Sequence, residues 1–212
     1  MRFCLRFWPA DSRRLAEEGG PELFQDRLAR TREPRARFGA LGLSAILAIM
    51  TAAAPTASYV KSLRLQAPNE EVEAPDFSLP DLTGKKIRLK DFRGKVVFLN
   101  FFAAWCEPCR LEMPAMERLH QTYTDKGLVV LAVDIRESVT EVRAFTQELR
   151  LSFPALLDKD GSVAYTYTIR PVPATYLIGR DGNILWRAFG AREWDSSDAR
   201  NYFASILTDG KR

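Results

Sequence analysis

Cys106 and Cys109 stand three positions apart in Trp105-Cys106-Glu107-Pro108-Cys109, directly after the apolar run Val96-Val97-Phe98-Leu99-Asn100-Phe101-Phe102. Two thiols at that spacing can close a disulfide and trade it with another protein. The apolar run reads as a buried strand, and a strand running straight into a helix puts Cys106 at the helix start. Free N–H groups and the helix dipole favour the thiolate there, the form that attacks a foreign disulfide. Cys109, one turn on, is placed to resolve the mixed disulfide by attacking Cys106. Pro108 suits a first turn, where the N–H it lacks would be unpaired anyway.

A structural disulfide, half of a zinc site and two buried thiols are the competing readings. Zinc wants a second CxxC or a pair of histidines, and the chain offers only Cys4 and His120 besides. A bridge closing so small a loop would constrain the unfolded chain little. Redox chemistry is the expectation.

The net charge of the 212 residues is +4. From Ser62 to Arg212, however, Lys+Arg and Asp+Glu each number 21, so the excess sits in residues 1–37 and at Lys61. No basic patch remains for nucleic acid. Residues 1–37, rich in Arg, Glu, Gly and Pro, are expected to be mostly disordered on the cytoplasmic side. Residues 38–60 carry no charge and as a helix would span about 34 Å, enough to cross a bilayer. The nine preceding arginines orient such a segment with its N-terminus in the cytoplasm. A cleaved signal peptide is the alternative, since Ala52-Ala53-Ala54 has a small-residue cleavage pattern, but Pro55 would follow the cut. We expect an uncleaved, single-pass anchor in the cell membrane, with everything after Lys61 extracytoplasmic, where disulfides persist.

Residues 61–73 read as a polar tether and 74–209 as the folded domain. Phe77-Ser78-Leu79 and Lys86-Ile87-Arg88-Leu89 flank a Gly84 turn and predict a β-hairpin. Strands are expected at 96–103, 128–133, 155–157, 174–178 and 184–189, the last two joined across Asp181-Gly182. Helices are expected at 107–126, kinked at Pro114, at 139–149, as a turn at 162–168, and at 195–207 with Asp195 as N-cap. Asp158, Lys159 and Asp160 read as solvated loop residues. The fold class is α/β, a mixed sheet with helices on both faces.

These residues resemble the thioredoxin fold, and more closely its membrane-anchored, extracytoplasmic TlpA/ResA-type reductases of cytochrome c maturation. The resemblance covers 74–209. It rests on Ala74-Pro75-Asp76-Phe77, Lys90-Asp91-Phe92-Arg93-Gly94-Lys95, the Cys-Glu-Pro-Cys core, Glu112-Met113-Pro114, and Val172-Pro173-Ala174-Thr175. It implies that Pro173 is a cis-proline facing the disulfide, leaving the Val172 backbone to pair with an incoming segment. It also implies that Glu112, one turn beyond Cys109, exchanges protons with a thiol from a desolvated spot; a solvated glutamate paired with an arginine is the alternative. Trp105, Glu107, Pro108 and Val172 then form the substrate-docking surface. Glu107 would alter the charge near Cys106, in a direction the sequence does not give. Implied partners are a disulfide-containing protein such as apocytochrome c and a membrane thiol reductase as electron donor. No flavin or nicotinamide fingerprint occurs, so no cofactor is expected. Copper delivery by the two thiolates and a peroxiredoxin-like peroxidase are the other candidate functions. His120 lacks the placement of a copper-chaperone histidine, and Ala103 stands where such peroxidases carry Thr.

Overall fold

The computed structural model describes residues 56–208. The central sheet has five strands in the order β5-β4-β3-β6-β7. These are β3 (Val96–Phe102), β4 (Leu128–Ile135), β5 (Ala155–Asp158), β6 (Ala174–Ile178) and β7 (Ile184–Phe189). β3, β4 and β5 run parallel, whereas β6 and β7 pair antiparallel. A hairpin of β1 (Ser78–Pro80) and β2 (Lys86–Arg88) reaches the sheet through an isolated bridge from Asp81 to Leu156. The mixed sheet and the N-terminal hairpin match the expectation.

Every residue of β3 is buried, as a run apolar but for Asn100 requires of a central strand covered on both faces. Side-chain alternation divides the core. Phe98 and Phe102 face α2 (Glu107–Tyr123), α3 (Val139–Glu148) and α5 (Ser197–Thr208), against Met113, Phe145 and Phe203. Val97, Leu99 and Phe101 face the hairpin and the short α4 (Ser162–Thr166). The same alternation turns Asn100, Asp134 and Thr175 toward the α2–α3–α5 side, and all three are buried. Polar side chains there must find partners inside the protein.

Several boundaries differ from the sequence reading. α2 runs unbroken through Pro114 and ends at Tyr123, after which Thr124–Lys126 forms one 3-10 turn. Asp195 does not cap α5. Ser196 Oγ accepts from Ala199 N at 3.3 Å, and Asp195 instead binds Arg118 at 2.7 Å. Asp158 is fully buried rather than solvated, because its carboxylate accepts the Val163 and Ala164 amides at the start of α4. Lys159 and Asp160 are exposed.

Residues 61–73 are not a free tether. Leu63 and Leu65 are buried, Gln66 pairs with Arg187, Ile184 N donates to Val72 O, and Glu73 bridges Asn183. The segment therefore covers the outer edge of β7, which would otherwise expose unpaired backbone groups. Just before it, α1 (Thr56–Ser62) sets Tyr59 edge-on to Tyr202 of α5 at 6.4 Å. Residues 56–60, assigned above to the end of the anchor, thus begin a helix of the domain. The rest of the expected anchor and residues 1–37 lie outside the described residues. Among the described residues no helix is long and apolar enough to cross a membrane.

Candidate active site

The backbone leaves β3 at Phe102 and turns at Ala103, whose carbonyl accepts from Cys106 N at 3.1 Å. Cys106 is the N-cap of α2, with extended φ/ψ, and its Sγ accepts from Cys109 N at 3.2 Å. Sulfur occupies the place of the usual capping oxygen, where an orphan amide and the dipole stabilise negative charge. Cys106 and Cys109 form a disulfide with Cα atoms 5.3 Å apart. Cys109 is fully buried and Cys106 is 4% exposed. Trp105 is 75% exposed, which rules out core packing for it, and Glu107 and Pro108 are exposed as well.

One turn past Cys109, Glu112 is buried at 2% exposure, and among the described residues no cationic side chain forms a salt bridge with it. Three donors reach it: Asn100 Nδ2 at 2.9 Å, Arg192 N at 3.2 Å and Trp194 Nε1 at 3.1 Å. Burial pushes its carboxyl up to about 7, against the opposing pull of these hydrogen bonds. The alternative of a solvated, arginine-paired glutamate is excluded. Asn100 Nδ2 also reaches Thr175 Oγ1 at 3.0 Å, and the two residues are register partners between β3 and β6.

β6 begins immediately after Val172-Pro173, whose peptide bond is cis. Phe101 opposes Ala174, so Pro173 lies at the end of β6 that adjoins the exit of β3 toward Cys106. Pro173 is buried and Val172 half-buried. All the expected site residues therefore fall at one end of the sheet, in the turn after β3, the first turns of α2 and the two residues before β6. Four contributors were not expected: Asn100, Thr175, Arg192 and Trp194. Asn100 had a legible signal as the one polar residue in an apolar strand. Arg192 and Trp194 had none, because only the fold brings the loop before α5 onto α2.

His120 sits on the far half of α2, with Nδ1 2.9 Å from Thr124 Oγ1. Among the described residues no three His, Cys, Asp or Glu side chains gather as a metal site.

Residues 71–187 match the AhpC/TSA family. The chain belongs to that family. It is 46% identical over 113 residues to the thiol-disulfide oxidoreductase ResA of Bacillus thuringiensis subsp. konkukian, covering 53% of this chain and 65% of that protein. It is 39% identical over 117 residues to ResA of Bacillus subtilis, covering 55% and 65%. The chain thus spans just under two thirds of the length of these curated relatives. Among solved structures, a Chlorobium tepidum protein provisionally assigned as thiol:disulfide interchange protein DsbE superposes with a TM-score of 0.61 at 32% identity, covering 66% of this chain and 98% of that one. The AhpC/TSA member described here therefore has the thioredoxin-like fold of proteins named for thiol–disulfide exchange.

Proposed function

We propose that this chain is a thiol–disulfide oxidoreductase that reduces disulfides of extracytoplasmic proteins, apocytochrome c before haem attachment among them. The observation that carries the reading is a Cys106–Cys109 disulfide at a helix N-cap with a buried, elevated-pKa glutamate one turn away. ResA relatives support the activity class.

In the reduced state the Cys106 thiolate attacks one sulfur of the substrate disulfide, forming a mixed disulfide and expelling the other as thiolate. Cys109 then gives its proton to the Glu112 carboxylate, attacks Cys106 Sγ, and releases the second substrate thiolate. Two electrons pass to the substrate and the Cys106–Cys109 disulfide is left. A membrane thiol reductase restores the dithiol. The Val172 backbone pairs with the substrate segment beside Pro173, and exposed Trp105, Glu107 and Pro108 border it. Residues 38–55, which precede α1, anchor the domain to the cell membrane with the N-terminus of the chain cytoplasmic.

Replacing Cys109 with Ala removes the resolving thiol. The variant should accumulate mixed disulfides through Cys106 in cells, and c-type apocytochromes should be among the trapped proteins. Absence of any trapped partner contradicts the resolving role. Trapped partners without apocytochromes leave the activity and remove that substrate.

A further inference from the structure

The penultimate residue of β4, close to the nucleophile loop, is an acid that the exchange chemistry above does not use. Asp134 is fully buried, opposite Phe102 in the β3 register and Leu157 in the β5 register, both apolar. Its Oδ1 accepts from Glu137 N at 3.1 Å, and its Oδ2 is buried with no partner. Glu137, in the β4–α3 loop, accepts the Ala104 amide on Oε2 at 2.5 Å. Ala104 lies two residues before Cys106. The charged groups facing Asp134 are Glu137 and, from the first turn of α3, Glu141, whose carboxylate is engaged with Ser138. Among the described residues no salt bridge neutralises either Asp134 or Glu137.

A buried carboxyl with an unpartnered oxygen does not readily ionise beside a second carboxylate. We propose that Asp134 keeps its proton beside Glu137 and that this pair is a positioning device for Cys106, resting on its reading as the nucleophile. While Asp134 is neutral, the Glu137 carboxylate holds the Ala104 amide and fixes the 103–105 loop. Ionising Asp134 sets a second buried negative charge against Glu137 and weakens that hold. Burial first, then Glu137, push the Asp134 carboxyl up to about 8.

The test follows the Ala104 amide resonance against pH in the oxidised full-length chain, where neither thiol titrates. A step near pH 8 is expected that disappears in Asp134→Asn and persists in Glu112→Gln. No step, or a step retained in Asp134→Asn, overturns the pair. If Asp134→Asn does not fold, the Asp134 carboxyl carbon of the wild-type chain serves instead, and a midpoint in the ordinary aspartate range overturns the proposal. In the reduced chain, Cys106 alkylation per thiolate should change at least threefold across the same step, and stay flat in Asp134→Asn. A step at Ala104 with an inert Cys106 supports the pair and sinks the oxidoreductase reading. A reactive Cys106 without the step overturns the pair alone.

Discussion

Trp194 and Glu112 are 82 residues apart in the chain, and the indole N–H of one donates to Oε2 of the other at 3.1 Å. Trp194 is itself fully buried, stacked on Trp186 at 5.7 Å and edge-on to Phe98 at 4.9 Å. An apolar cluster thus fixes a donor at an acid that burial makes hard to ionise. The Asn100 amide and the Arg192 backbone complete the cage.

Trp194→Phe keeps most of the stacking and removes the N–H. Hydrogen bonds to a carboxylate favour its charged form, so the Glu112 carboxyl should move further up. The expected stability cost is about 1–3 kcal/mol, for an acceptor left short of a partner in the interior. Carboxyl-carbon NMR reads the titration and denaturant unfolding the stability. An unchanged Glu112 midpoint would show that the indole contributes packing only.

Glu112 also makes stability depend on pH with a definite sign. Its folded pKa of about 7 lies above the ordinary value of 4.5. Between these two values the folded chain holds a proton that the unfolded chain has released. Stability is therefore full below about 4.5 and is lost as pH rises through 7, by up to about 1.4 kcal/mol per pH unit. Wild type minus Glu112→Gln should fall by about 3 kcal/mol over that window. The subtraction removes the parallel contribution of Asp134, also raised. A flat difference would contradict the burial argument. The same variant should slow resolution of the mixed disulfide by about 10²-fold or more, as loss of a proton acceptor usually does.

The segment on the edge of β7 reaches the same acid. Arg192 Nε donates to Leu63 O at 3.1 Å, and Arg192 N donates to Glu112. Removing residues 1–66 deletes the buried Leu63 and Leu65, at a cost of about 2–5 kcal/mol for each side chain by analogy with core truncations. It should also free Arg192 and raise the Glu112 carboxyl relative to the full chain. A truncated chain with unchanged melting temperature and unchanged Glu112 titration would mean that the segment is a passive cover.

The strands and the CxxC helix were legible because their signals are local. β3 is apolar but for Asn100, Gly182 at φ 84 supplies the left-handed turn the β6–β7 hairpin needs, and Ser138 and Glu141 form a capping box at α3. Residues 61–73 were misread because their polar composition conceals two buried leucines and backbone pairing with β7, and pairing to an edge leaves no period in the sequence. Asp158 was misread because an acid that serves two amides five and six residues onward looks like any acid in a loop. The site divides the same way. Cys106 and Cys109 announce themselves by spacing. Asn100 is visible as a lone polar residue in an apolar strand. The Glu112 cage depends on contacts across 80 and 82 residues, which spacing along a single chain does not encode.

The central claim is that the N-cap position makes Cys106 the attacking sulfur. Alkylation of the reduced full-length chain near neutral pH, followed residue by residue by mass spectrometry, tests it most directly. Cys106 should react at least tenfold faster than Cys109, with an apparent pKa below that of a free thiol. Equal inertness of both thiols, or faster modification of Cys109, would contradict the account.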